Sequence, residues 1–379
     1  MQKPFRPKAA ISTFPNSERH FRLLFYTAVA LLWGASVLNG TIKALLVAVW
    51  NGRLEDGTLL RRDYTGFPPL DYPLAVLVAF FFSGTNGQNE AYSIFLFDLY
   101  INLQLGYLWL YVEAARPGQK PRWIQSPIYF ALLWQACGGA VVFPLYFGLH
   151  IRWASQERPA QVVDLHKARA LPLAFILGAA APMIVLMAPT WLGPEARSPA
   201  SQQMIVALFQ PSPVLFSLLL TLFTRTSEYV GRDGRNIRPD GPRDNRVVRR
   251  WVQGSYLAAT AVSVIGRLYV LIRVFTAENS DSVNLLRMYV PHPFSGPVGT
   301  TEVLAGGPWL FLQWDSIIIS LASSFWALVL LEKDGVVRES IAIVAVVLAA
   351  GSVVLGPGAT ATMALYLRES QLPERIKCT

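Results

Sequence analysis

The sequence predicts an all-α fold, a polytopic transmembrane helical bundle of about nine spans (8–9). Three observations carry this. Of 379 residues, 53% are hydrophobic and 15% are charged, whereas soluble domains are about 25% charged. Apolar runs long enough to cross a bilayer, about 20 residues, recur along the chain. The basic residues behind the net charge of +9 gather between those runs, as topology signals do. No basic helix or aromatic-basic platform accompanies them, which argues against nucleic-acid binding. Cys137 and Cys378 are the two cysteines, and they suggest neither a disulfide framework nor a metal cluster.

Residues 1–21 form a polar, cytosolic N-terminal tail with Lys3, Arg6, Lys8 and Arg19. It lacks the apolar core and cleavage site of a secretory signal, so the first span acts as the insertion signal. That span, 22–50, is interrupted by Asn39-Gly40-Thr41 and Lys43. The second, 73–88, ends at Gly84-Thr85-Asn86-Gly87. The third, 91–115, stops at Arg116-Pro117-Gly118. The fourth covers 127–151 with Pro144 inside, the fifth 170–189 and the sixth 201–224. A loop rich in Arg, Asp, Gly and Pro follows over 225–250, then the seventh span, 254–275, and a long loop without periodicity, 276–306. The eighth span is 307–333 and the ninth 340–366. Residues 22–367 are thus one transmembrane helical domain and 368–379 a C-terminal tail. Arginines after the fourth and sixth spans fall on the side of the N-terminus, which places that side in the cytosol. Arg53, Arg61 and Arg62 argue the other way. The expected location is the endoplasmic reticulum.

The eighth span carries Asp315 beside Trp314 and a stripe of Ser316, Ser320 and Ser323. A carboxylate at the centre of a span costs about 2.5–3.5 kcal/mol on insertion scales. Such groups face a protein interior and are functional by default, so the other helices are expected to surround this one. Helical spacing puts Asp98, Asn102, Gly106, Trp109 and Glu113 on one face of the third span. It aligns Gln135, Gly139, Val142, Tyr146 and His150 in the fourth, and Tyr256, Thr260, Ser263 and Arg267 in the seventh. These stripes suggest a polar or wet centre, or else helix–helix glue. Depth groups Glu113, Gln135, Arg267 and Asp315 towards one membrane side, and Glu90, Asp98 and His150 towards the other. The first group is expected to converge on one cavity. Arg267 and Asp315 are also candidates for a structural ion pair. The aromatics near that group, Trp109, Trp134, Tyr269, Trp309, Phe311 and Trp314, fit an interfacial belt or a cage for a cation.

No GxGxxG, Walker A or HExxH motif occurs, and four scattered histidines give metal catalysis little support. DDxxD and DxDD runs are absent too. Asn236-x3-Asp240-x3-Asp244 fits the NxxxDxxxD pattern by which membrane prenyltransferases hold Mg²⁺ and a diphosphate. Pro239 and Pro242 lie between those residues and would break the presenting helix. The match reads as a solvated loop.

Four motifs together resemble a known family: Glu113-Ala-Ala-Arg116; Gln135-Ala-Cys-Gly-Gly-Ala leading to Pro144-Leu-Tyr146-Phe-Gly-Leu-His150; Phe209-Gln210-Pro211-Ser212-Pro213; and Phe311-Leu-Gln313-Trp-Asp315. Their order and spacing are similar to those of the fungal membrane-bound terpene cyclases of meroterpenoid biosynthesis, the ascofuranone and ascochlorin cyclase group. The resemblance covers about residues 70–335. It implies cyclisation of a farnesyl chain, or its terminal epoxide, attached to an aromatic core, with no metal or other cofactor. The implied partners are that prenylated small molecule and the lipid bilayer. The family's acidic positions match Glu113 and Asp315.

Proton-initiated cyclisation needs a carboxylic acid that keeps its proton, and apolar surroundings favour the neutral form. It also needs walls that fold the chain and exclude water. Asp315 and Glu113 are therefore the candidate catalytic residues. Gln135, Tyr146, Arg267, Trp109, Trp309, Gln313, Trp314, Asp98 and His150 are the candidate substrate-binding residues. A close Arg267 would weaken Asp315 as an acid and favour Glu113 as the donor. A Mg²⁺-dependent prenyltransferase and a transporter or receptor-like protein are the rival readings. The latter would show inverted symmetry between halves, and none is evident.

Overall fold

The computed structural model describes residue 14 and residues 16–117, 120–154, 163–232, 242–278, 281–291, 303–337 and 341–372. Those residues are helical, with one isolated bridge between Arg53 and Leu59 and no strand. The chain opens with α1 (Ser17–Leu38), which contains a π turn at Val29–Gly34. Gly40, at φ 82°, breaks the run, and α2 (Thr41–Asn51) starts anew with the Asn39 side chain accepting from Thr41 N–H at 3.0 Å. The prolines at the start of α3 (Pro68–Thr85) stand where a helix has no bond to lose. Asn89 caps α4 (Glu90–Ala115) by accepting from Tyr92 N–H. The predicted fourth span is two helices, α5 (Ile128–Cys137) and α6 (Gly139–Ala154), separated at Gly138. Pro144 is carried within α6.

Then follow α7 (Leu165–Leu192), α8 (Pro199–Phe209) and α9 (Ser212–Arg232). The last two form a pair bent by 54°. Next come α10 (Pro242–Phe275), the short α11 (Leu285–Tyr289), α12 (Val303–Lys333), α13 (Ile341–Val354) and α14 (Pro357–Gln371). The predicted loop 225–250 is therefore helical at both ends, and the loop 276–306 contains a helix. Asn236 and Asp240 lie outside the described residues, as does the side chain of Asp244. Among the described residues five helices are long and apolar enough to cross a membrane, or six if the bent pair is one crossing. That is fewer than nine, because the predicted second span, in α3, is not among them and the predicted fourth and ninth are each broken into shorter helices, α5–α6 and α13–α14.

The helix at the centre is α4, not α12. Its apolar stretch is entirely buried, against 61% for that of α12. One face of α4 receives α14 along its length. Asn102 Oδ1 accepts from Gly358 N–H at 2.9 Å, Trp109 Nε1 donates to Thr362 Oγ1 at 2.9 Å, and Arg368 bonds Glu113 at 2.7 Å. The polar stripe of the third span is thus a docking seam, not the lining of a wet centre. Leu99, Tyr100 and Leu103, on another side of α4, face a cleft.

Candidate active site

The cleft lies between α1, α2, α3, α4, α12 and the α5–α6 break, and holds about 890 Å³ counting its open mouth. Its walls are nearly all apolar: Leu45, Val76, Leu77, Phe80, Phe81, Tyr100, Trp134 and Phe311 among them. Asp315 is its single acidic residue and is 1% exposed.

The position of Asp315 follows from Gly138-Gly139. Gly138 adopts φ 91° and ψ 145°, a conformation essentially reserved for glycine. A Cβ there would lie 3.0 Å from Asp315 Oδ1, and one on Gly139 would lie 2.7 Å from Ile319 Cδ1. The two glycines therefore end α5 and let α12 pack against the break. The amide at the start of α6 has no partner within its own helix, and Ala140 N–H donates instead to Asp315 Oδ1 at 2.7 Å. No cation pairs with Asp315 among the described residues. Two serines of the stripe beside it bond back to their own helix: Ser320 donates to Ser316 O at 2.6 Å and Ser323 to Ile319 O at 2.7 Å.

Glu113 stands in the opposite surroundings. Its Oε1 accepts from Arg116 Nε at 2.9 Å and Arg368 NH1 at 2.7 Å, and His150 Nε2 is 3.3 Å from its Oε2. Trp326 Nε1 donates to His150 Nδ1 at 3.2 Å, which leaves the ring proton on Nε2, facing Glu113. Arg116 also holds Glu369 at 2.7 Å, and Arg368 holds Asp334 at 2.5 Å. Trp326, the α12 residue that touches this cluster, lies eleven residues beyond Asp315, about 16 Å along the axis. The two carboxyls occupy different sites.

Two expectations about depth are corrected. Arg267 does not reach Asp315; its NH1 bonds Asp98 Oδ2 at 2.8 Å and Tyr289 at 2.7 Å, and its NH2 bonds Val353 O at 2.9 Å. His150 belongs with Glu113 rather than with Asp98. Helical depth counts missed both, because they assume straight, equally inserted helices, whereas the run carrying His150 is broken at Gly138. Expected convergence of Glu113, Gln135, Arg267 and Asp315 on one cavity therefore holds only for Gln135 and Asp315. Gln135 donates to Ser212 at 3.3 Å.

The other candidates stand elsewhere. Tyr146 stacks on His150, Trp109 binds Thr362, and Trp309 stacks on Tyr92 with ring centres 4.9 Å apart. Gln313 holds the carbonyls of Arg287 and Met288 at 2.9 and 3.0 Å, fastening α11 to α12. Trp314 packs beside the core and is not a wall of the cleft. Trp33, Phe80, Phe81 and Tyr100 do line it and escaped the sequence reading. They lie in ordinary apolar periodicity, which marks burial but not what is buried. No group of His, Cys, Asp and Glu suited to a metal ion occurs among the described residues.

The CtvD domain family matches residues 19–372. Similar proteins include terpene cyclase DEP1 of Fusarium langsethiae, 28% identical over 93% of this chain and 98% of its own. DEP1 of Alternaria brassicicola is 28% identical over 92% and 98%, and terpene cyclase ascI of Acremonium egyptiacum 27% over 79% and 76%. No solved structure matches the chain. With that family match spanning both the cleft and the α4–α14 seam, the chain belongs to the CtvD-domain family of fungal terpene cyclases.

Proposed function

We propose that the chain cyclises the farnesyl part of a prenylated aromatic, meroterpenoid precursor by proton transfer from Asp315, without a metal. One observation carries this reading: a buried carboxyl in an apolar, aromatic cleft, bonded to a backbone amide and free of any neighbouring cation among the described residues. With Oδ1 accepting from Ala140, the acidic proton resides on the other oxygen. That proton goes to the terminal alkene carbon, or to the oxygen of a terminal epoxide. The resulting cation is captured by the next double bond along the folded chain. Phe80, Phe81, Tyr100, Trp134 and Phe311 offer π-faces to it. The last cation loses a proton from a neighbouring carbon to solvent, and a proton from solvent restores the Asp315 acid, so one proton enters, one leaves, and the reaction is a net isomerisation. Gln135 lines the pocket, and Glu113 holds an ionic cluster together rather than donating a proton.

We further propose a multi-pass domain in the endoplasmic-reticulum membrane, with the N-terminus in the cytosol; α1 starts at Ser17 and α14 runs to Gln371, so the domain extends beyond 22–367 at both ends. The support is an inside-out distribution of polarity. Glu113, Arg116, Arg368 and Glu369 are buried, while Ile343, Val346, Val347 and Val353 of α13 face outward. Membranes containing the protein, given a farnesylated phenol or its epoxide in EDTA, should yield a cyclic isomer of unchanged mass. Loss of product on chelation, or full turnover by Asp315→Asn, overturns the reading.

A further inference from the structure

Trp33 stands at the mouth of the cleft and reaches the same break that holds Asp315. Its Nε1–H donates to the carbonyl of Cys137 at 3.0 Å. Cys137 immediately precedes Gly138, and two residues later Ala140 N–H grips the carboxyl at 2.7 Å. The Trp33 ring lies edge-on to Phe311, centres 5.8 Å apart, one turn before Asp315 on α12. Trp33 is 37% exposed and Leu46, another residue of the cleft's wall, 42%. The rest of α1 gives Trp33 little support, since only 22% of its apolar stretch is buried. The π turn at Val29–Gly34 contains Trp33. Such a turn holds one residue more than an α turn and shifts the face on which later side chains stand.

We infer that Trp33 is a positioning residue that latches the α5–α6 break behind Asp315 and closes the mouth of the cleft against water. The inference rests on the reading of Asp315 as the acid. Its indole N–H fixes the carbonyl end of the break, and through Gly138 and Ala140 fixes the carboxyl. Its ring covers the opening of the cleft. Water reaching the cation would add its oxygen to the cationic carbon and release a proton, leaving an alcohol instead of an alkene.

Two variants separate the parts. Trp33→Phe keeps a ring and removes the N–H; Trp33→Ala removes both. For Trp33→Phe, kcat should fall about fivefold, the effect of one neutral hydrogen bond, with KM within about twofold and no new product. For Trp33→Ala, turnover in ¹⁸O-water should give labelled alcohols beside the cyclic alkene. The ratio of labelled to unlabelled product does not depend on how much enzyme is folded. An unchanged kcat for Trp33→Phe, or a label-free product from Trp33→Ala, overturns the latch while an inactive Asp315→Asn keeps the acid. An active Asp315→Asn overturns the acid, and the latch with it.

Discussion

Two buried carboxyls, Asp315 and Glu113, differ in what surrounds them, and their substitutions should fail in different ways. Asp315→Asn keeps shape, and its amide oxygen can still accept from Ala140. Turnover on a farnesylated phenol should fall by about 10²–10⁴-fold, the range of general acid–base catalysis, with an unchanged melting temperature. Glu113→Gln removes the charge that Arg116 and Arg368 share. Breaking a buried pair costs about 3–5 kcal/mol, so yield and melting temperature should drop while the folded remainder still turns over. A normally stable, inactive Glu113→Gln would reverse the two roles. Both acids were visible in the sequence, because an ionisable group in an apolar run is rare. Their partners were not. Arg368 lay in what reads as a tail, and Arg267, grouped by depth with Asp315, pairs with Asp98 instead. Spacing along one helix says which residues share a face, but not which helix comes to meet it.

At the scale of the helix, the α5–α6 break does the most for the site. Gly138→Ala puts a side chain at φ 91° and a methyl against Asp315, Leu32 and Phe311, each within 3.1 Å. Strain of this kind costs about 1–3 kcal/mol. The variant should melt lower and lose activity by more than its folded fraction explains, measured by activity per folded molecule. Turnover that tracks the folded fraction would mean the break does not set the carboxyl. The long buried helix was legible to within one residue at its start, 91 against Glu90, and at its end, Ala115, where Arg116-Pro117-Gly118 is a strong stop signal. The interruption at Asn39-Gly40 was legible too. The break at Gly138 was hidden behind Pro144, a stronger breaker on paper that α6 absorbs. The five-residue α11 is too short to show a period. It nonetheless delivers Tyr289 to the Asp98–Arg267 pair, with Tyr289 Oη donating to Asp98 at 2.6 Å.

Over the whole molecule, a charged cluster of Glu113, Arg116, Arg368 and Glu369 is buried while the aliphatic side chains Ile343, Val346, Val347 and Val353 of α13 face outward. Asn236, Asp240 and Asp244, the pattern that fits a Mg²⁺ site, fall in the arginine-rich stretch 225–250. Replacing Asp240 and Asp244 together by Asn should leave most activity, with or without EDTA. A loss of about a hundredfold in folded protein would favour Mg²⁺-dependent prenyl transfer, since removing a ligated metal costs at least that much. The docking of α14 on α4 also has a consequence in time. Glu113 and Arg368 are 255 residues apart in the chain. A ribosome adding about 5–20 residues per second needs about 13–50 s to cover that distance. Through that interval the central helix exists without the helix that covers its polar face, and Glu113 has only Arg116 and His150 for company. The innermost part of the bundle is therefore the last to be finished. A nascent chain stalled before residue 357 presents an open polar seam to whatever machinery surveys unassembled helices.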